Sequence, residues 1–102
     1  MNTQILPVSF ISSKCAKVFD NVDFVQKAYL FGSYARGEAK PESDLDFVIV
    51  LNREAILEFF ALYDLLQDAL GKNVDVVREE EALRIMPRTF ERDKVLIYER
   101  EN

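Results

Sequence analysis

The sequence contains no histidine, and Cys15 is its only cysteine among 102 residues. Zinc sites draw on cysteine and histidine ligands at short spacings, so no site of that class is expected. A single cysteine cannot form an internal disulfide bond, and we interpret Cys15 as a small core residue. A fold held together by disulfides or by structural zinc is therefore excluded.

Signals for membranes and nucleic acids are also missing. The N-terminus has no basic start followed by an apolar stretch, so we expect no secretion signal. No segment approaches the roughly 18 consecutive apolar residues of a membrane span. These absences predict a cytoplasmic protein with no membrane contact. The formal net charge of −5 disfavours direct binding of nucleic acid. A bound nucleotide should be small and metal-bridged, or a partner must supply positive charge.

Length and composition suit one globular domain over residues 1–102, with 49% hydrophobic and 30% charged residues. Apolar spacing predicts helices over residues 8–20 and 53–70 and a weaker helix over 80–86 that Pro87 breaks. We predict strands over residues 24–31, 44–51, 74–77 and 95–98. This alternation indicates an α/β (α+β) fold, with helices packed on a mixed β-sheet.

The run Phe47-Val48-Ile49-Val50-Leu51 has no polar face. A strand of this kind is buried on both sides, which predicts a central place in the sheet.

Two acids stand at the start of that strand. The pair Gly32-Ser33 is followed by ten residues and then by Asp44-Leu45-Asp46. Strand side chains alternate, so Asp44 and Asp46 should share a face while Leu45 points into the core. Neighbouring carboxylates repel each other unless a cation lies between them. Mg²⁺ suits this arrangement, because it takes one or two carboxylates together with water and phosphate oxygens.

A third carboxylate, Asp75, opens the short apolar strand Val74-Asp75-Val76-Val77. If this strand lies beside the Asp44 strand, Asp75 reaches the same site. Three acids can hold two metal ions, one at the attacking hydroxyl and one at the leaving pyrophosphate. Asp75 could also accept the hydroxyl proton.

The Gly32-Ser33 pair is suited to a phosphate. A glycine lets a phosphate approach the backbone closely, and the start of a short helical turn favours an anion. The Ser33 hydroxyl can donate a further hydrogen bond. Arg36 follows one turn later and could meet a terminal phosphate.

These residues resemble the DNA polymerase β-type nucleotidyltransferase superfamily, whose signature is Gly-Ser, ten residues, Asp-x-Asp. The fuller text resembles the minimal nucleotidyltransferase family: Phe31-Gly32-Ser33-Tyr34-Ala35-Arg36-Gly37-Glu38-Ala39, with Ser43-Asp44-Leu45-Asp46-Phe47. The order of elements supports a catalytic core over about residues 24–98.

The resemblance implies an enzyme with a nucleotidyltransferase fold. It implies Mg²⁺ ligands at Asp44, Asp46 and Asp75, triphosphate binding at Gly32 and Ser33, and a further phosphate contact at Arg36. ATP is the implied donor, with two Mg²⁺ ions. Many members of this minimal family are antitoxins that adenylylate a tyrosine of a HEPN-domain ribonuclease toxin, so the resemblance implies that partner.

Other interpretations remain open at the sequence level. The acids could be solvated strand ends, Ser33 a helix cap without phosphate, and Arg36 an exposed loop residue. A module that neutralises a toxin by contact alone is the second hypothesis. An antibiotic adenylyltransferase is the third, and it fits poorly because such enzymes need further chain to hold the drug.

The adjacent residues Phe59 and Phe60 cannot both lie at the centre of one helical face. One of them is therefore a candidate contact residue in a homo- or hetero-oligomer.

Overall fold

Helices and strands alternate along residues 4–101, the part of the chain that the computed structural model describes. Residues 1–3 and 102 of the predicted domain lie outside the described residues. The elements in chain order are α1 (Val8–Asp20), β1 (Val25–Phe31), α2 (Gly32–Ala35), β2 (Leu45–Leu51), α3 (Ile56–Leu70), β3 (Val74–Arg78), α4 (Glu79–Ile85), α5 (Pro87–Asp93) and β4 (Val95–Glu99). No helix in the described range has the length and apolar character needed to cross a membrane.

The four strands form one sheet in the order β3-β2-β1-β4. β1 is antiparallel to both β2 and β4, whereas β2 is parallel to β3. The predicted mixed sheet is confirmed, and β2 has the predicted interior position. The parallel pair matters most for the site, because it sets the N-terminal ends of β2 and β3 side by side.

The main core lies between the sheet, α1 and α3. Leu45, Phe47 and Ile49 alternate along β2 and are fully buried there. Helix α1 contributes Ile11, Cys15 and Phe19, and α3 contributes Phe59, Leu62, Leu66 and Leu70. The apolar spacing of both helices therefore faces the sheet as predicted. Burying one such large side chain contributes about 1.5–3 kcal/mol.

The opposite face of the sheet packs against α4 and α5. Val48, Phe31, Ala82 and Phe90 form a second, smaller core there. Asp46 is two residues before Val48 and therefore points to this same face, but it is only partly buried. The acids thus lie on the α4–α5 face at one end of the sheet.

Three local predictions need correction. Pro87 begins α5 instead of only breaking a helix, because proline lacks the N–H that a first helical residue leaves unused. Ser33 lies inside α2, where Phe31 is the N-cap and no side chain caps the helix. Asp44 precedes β2 by one residue and is exposed.

Candidate active site

The pairing of β2 with β3 brings two of the predicted carboxylates together. In this parallel register Asp46 lies opposite Asp75. Neighbouring strands lie about 4.8 Å apart. Asp44 lies two residues before Asp46, beside the backbone hydrogen bond from Leu45 N to the Asn73 carbonyl (3.1 Å). All three acids therefore lie at the same end of the same two strands, although their roles stay a prediction.

The carboxylates influence one another electrostatically. The pKa of Asp46 is raised from 3.8 to about 6, first by its partial burial and then by the negative charges of Asp75 and Asp44. The positive charge of Arg36 opposes this rise. Burial and like charge both favour the protonated form, so a bound cation would relieve an unfavourable arrangement.

The three carboxylates do not close around one point. Within residues 4–101, no three acidic, histidine or cysteine side chains form a group that could hold a metal ion by themselves. Asp44 and Asp75 are exposed, and Asp75 Oδ1 lies 3.4 Å from the Tyr63 hydroxyl oxygen. An oxygen-only donor set with an open side still fits Mg²⁺, which keeps several waters and takes phosphate oxygens as ligands.

Gly32 brings a backbone segment directly against Asp46. Its φ of +71° is in the left-handed region, which favours glycine. A Cβ at this position would collide with Asp46 Oδ2 and stand 3.1 Å from Asp46 Cγ. Any side chain at position 32 would therefore displace the carboxylate. A phosphate held at this backbone would lie next to Asp46.

Ser33 follows Gly32 and is partly buried. Its backbone carbonyl accepts a hydrogen bond from Glu38 N at 2.9 Å. Its hydroxyl makes no hydrogen bond to another residue of the described chain. The hydroxyl is thus available to a ligand, as the phosphate interpretation requires.

Arg36 lies near the acids but is tied to other carboxylates. Its Nε donates to Glu38 Oε1 at 2.6 Å, and its Nη1 lies 3.5 Å from Asp93 Oδ2. The guanidinium is exposed and close enough to lower the pKa of Asp46. To bind a terminal phosphate, Arg36 would exchange its ion pair with Glu38, which is exposed on both sides and therefore weak.

Two further residues support the site and were not predicted. Lys72 is only 3% exposed, and its Nζ donates to the Pro41 carbonyl at 2.8 Å, in the loop that leads to Asp44. The Tyr63 hydroxyl donates to the Val76 carbonyl at 2.8 Å and accepts from Val76 N at 3.3 Å, beside Asp75. A lysine after a helix stop and a tyrosine in an apolar stripe carry no sequence signal for such roles.

Comparison with known proteins places this geometry in a family. The family model described as Polymerase beta, Nucleotidyltransferase matches residues 13–102. The chain is also 34% identical over 74 residues to Protein adenylyltransferase MntA of Thermococcus cleftensis, which covers 72% of this chain and 75% of that relative.

Solved structures share the fold. A chain in a crystal structure of a toxin–antitoxin with AMP-PNP superposes with a TM-score of 0.73 at 25% identity, over 88% of this chain and 74% of that one. A chain in the structure of tri-AMPylated Shewanella oneidensis HEPN toxin in complex with MNT antitoxin has a TM-score of 0.69 at 22% identity, over 92% of this chain and 74% of that one. The second likeness shows the fold alone. Since the family model spans most of the sequence, the chain belongs to the polymerase β nucleotidyltransferase family and is a nucleotidyltransferase.

Proposed function

We propose that this chain is a Mg²⁺-dependent protein adenylyltransferase. It transfers AMP from ATP to the hydroxyl group of a tyrosine on a HEPN-domain toxin and thereby acts as the antitoxin. One observation carries the proposal. Asp46 lies opposite Asp75, with Asp44 two residues earlier, and Gly32 leaves room for Asp46 beside the backbone of α2. The carboxylates at the N-terminal ends of β2 and β3 thus lie at one end of the sheet, where that of Asp46 is next to the Gly32 backbone, which a triphosphate can approach.

The reaction is an attack of the acceptor hydroxyl on the α-phosphorus of ATP. The new O–P bond forms as the bond from the α-phosphorus to the bridging oxygen breaks, and pyrophosphate leaves with that oxygen. Asp44, Asp46 and Asp75 would hold two Mg²⁺ ions, which when bound offset charge on the triphosphate and favour the ionised acceptor oxygen. Asp75 is exposed and would accept the proton. Gly32 and Ser33 would orient the phosphates by backbone approach and by the Ser33 hydroxyl.

The relatives support the donor and the partner. The Thermococcus cleftensis relative is named as a protein adenylyltransferase, and the neighbour with AMP-PNP is a toxin–antitoxin complex. A further neighbour, which shares the fold, was solved with an AMPylated HEPN toxin. Together with the motif resemblance, these proteins favour ATP as the donor and a HEPN toxin as the acceptor.

The exposed apolar surface of α3 gives the contact-only hypothesis a basis. Phe60 is 61% exposed and Leu57 is 84% exposed, so this helix can bind a partner without any chemistry. The two functions differ in whether the toxin stays inactive after the antitoxin is removed. A modified toxin stays inactive after the antitoxin is removed, whereas a toxin neutralised by contact recovers on dissociation.

Labelled ATP with Mg²⁺ and the cognate HEPN protein tests the proposal. Wild type should transfer label to the HEPN protein, and Asp44→Ala and Asp46→Ala should not. The treated toxin should stay inactive after purification, and phosphodiesterase should restore its ribonuclease activity. Labelling equal to wild type by a variant that combines Asp44→Ala with Asp46→Ala would exclude the enzymatic function. Full recovery of the toxin on dissociation alone would favour neutralisation by contact.

A further inference from the structure

We propose that the groove between α3 and α4, along the outer edge of β3, is the docking site for the protein acceptor. The occupant that fits is an amphipathic helix with an apolar centre and basic flanks. This inference rests on the proposed function, since it assigns the surface that selects the protein to be modified. We call this surface the α3–β3 groove.

The α3–β3 groove is apolar and open. Its volume is about 250 Å³, and its walls are formed by Ile56, Phe59, Phe60, Val76, Val77, Arg78 and Glu81. Phe59 is buried, whereas the ring of Phe60 packs edge-on against it and is 61% exposed. Leu57, 84% exposed, extends the apolar surface outward. Large exposed apolar side chains gathered at one place are typical of binding surfaces.

The edge of β3 argues against an added strand as the occupant. As an edge strand, β3 would offer its outward backbone groups to another chain. Val76 N and the Val76 carbonyl are already bonded to the Tyr63 hydroxyl, and Val74 N donates to Gln67 Oε1 at 3.4 Å. A partner therefore has to bind through side chains, as a helix lying in an apolar groove does.

The charges of α3 beside the groove specify the flanks of that helix. In the groove wall itself, Arg78 is paired with Glu80 at 2.7 Å and Glu81 with Arg84 at 2.8 Å, so those charges are already balanced. Helix α3 contains no lysine or arginine. Asp64 and Asp68 are exposed, lie on the same outward ridge as Leu57 at helical spacing, and make no ion pair within residues 4–101. Two like charges four residues apart repel each other slightly. Lysine or arginine side chains beside the apolar centre of a partner would match this ridge.

The position of the groove links docking to chemistry. Val77, in the groove wall, lies two residues after Asp75 on the same face of β3. Two residues of a strand span about 6.6 Å. A helix seated on Val77 and Phe60 would therefore present a neighbouring hydroxyl close to Asp75, the residue expected to accept its proton.

The test compares Phe60→Ala and Leu57→Ala with Leu96→Ala as a matched control. Leu96 is 48% exposed but lies on β4, at the opposite edge of the sheet. With the cognate HEPN protein as acceptor, Phe60→Ala should raise the KM for that protein at least about tenfold, as removal of an aromatic anchor does. Leu96→Ala should leave it unchanged. Leu57→Ala should raise the KM in the same direction as Phe60→Ala. Melting temperature and the affinity for Mg²⁺-ATP should stay at wild-type values in all three variants.

A second variant tests the charge. Asp64→Asn with Asp68→Asn should raise the KM at low salt and weaken its dependence on salt, since exposed charge pairs are screened. An unchanged KM in Phe60→Ala would overturn the docking site even though wild type labels the acceptor. Loss of self-association in Phe60→Ala, with the KM unchanged, would assign the groove to a second copy and overturn it equally. Failure of wild type to label the HEPN protein would instead reject the proposed function, and this inference with it.

Discussion

Asp46 is the carboxylate of the candidate site whose charged form is most disfavoured by burial and by neighbouring negative charges. It is partly buried, lies opposite Asp75, and has no hydrogen bond within residues 4–101 to stabilise its charged form. Its raised pKa means that the folded protein binds this proton more tightly than the unfolded chain does. The stability that the protonated form contributes is complete below about pH 4 and is lost as the pH rises through about 6.

We therefore predict that Asp46→Asn stabilises the metal-free protein at neutral pH. A shift from 3.8 to about 6 would correspond to about 3 kcal/mol, and partial exposure reduces this to roughly 1–2 kcal/mol. Urea unfolding in EDTA at pH 4.5 and pH 7.5 measures the effect. The free energy of unfolding of the variant should exceed that of wild type at pH 7.5 by more than it does at pH 4.5. An equal difference at both pH values would contradict the coupling.

Some residues of the candidate site can be located from local sequence patterns, whereas others depend on contacts between distant parts of the chain. The common location of Asp44, Asp46 and Gly32 could be predicted because strand alternation and a fixed spacing are local properties of the sequence, whereas their roles stay a prediction. Asp75 required one further condition, the pairing of β3 with β2, which the structure meets. Lys72 could not be predicted, because its importance depends on a contact with a loop 31 residues earlier in the chain.

At the scale of elements, the loop over residues 37–44 connects the two halves of the site. It runs from α2, which carries Gly32 and Ser33, to Asp44 at the start of β2. Ser43 closes a turn within it, where Ser43 N donates to the Lys40 carbonyl at 2.9 Å and Lys40 N donates to Ser43 Oγ at 2.8 Å. Lys72 attaches the loop to the body of the protein through Pro41. The loop is therefore closed by its own turn, and Lys72 holds that turn against the body of the protein.

We predict that Lys72→Met loosens this loop and slows nucleotide transfer. Methionine keeps an apolar stem but cannot donate to the Pro41 carbonyl, so the loss of stability should be about 1–3 kcal/mol. Amide hydrogen exchange of residues 38–44 should speed up more than that of α1, and transfer activity should fall several-fold. Lys17→Met, at an exposed position on α1, is the control. Uniformly faster exchange across the protein would show that Lys72 stabilises the fold without ordering the loop.

The helices show why some elements are predictable from the sequence and others are not. Helix α3 buries four residues at helical spacing, and that repeat predicts it directly. Its start is three residues later than predicted, because Ala55 is the N-cap and Arg53 instead pairs with Asp23 and Glu58. Helix α5 has seven residues and buries only Phe90, so no repeat is available to reveal it. Pro87 then indicates a break as readily as a start.

At the scale of the whole molecule, the larger core lies on one face of the sheet and the candidate site on the other. The face covered by α1 and α3 holds the larger core, which stabilises the domain. The other face is covered by α4 and α5 around a smaller core and shares its open end with the acids. The chain has a net charge of −5, and three acids lie near one another at that end. Their repulsion lowers the stability of the folded protein unless a cation binds. Metal binding should therefore raise the free energy of unfolding of the entire domain.

Thermal unfolding measures this coupling between metal binding and the stability of the domain. An ion that binds only the folded state adds about 1.4 kcal/mol at ten times its dissociation constant, which raises the melting temperature of a domain this size by about 6–11 °C. Wild type should show this rise with Mg²⁺-ATP relative to EDTA. Asp44→Asn should gain little, because one proposed ligand is missing, and in EDTA it should melt within a few degrees of wild type, because Asp44 is exposed.

Asp64→Asn is the matched control for that experiment. Asp64 is also an exposed acid, but it lies on α3, outside the proposed ligand set, so this variant should respond to Mg²⁺-ATP as wild type does. A large loss of melting temperature by Asp44→Asn in EDTA would show that Asp44 holds the fold through local contacts. The same gain with Mg²⁺-ATP in wild type and Asp44→Asn would show that the ion binds elsewhere. Either result would remove Asp44 from the proposed metal site, and with it the arrangement of three carboxylates on which the transfer mechanism depends.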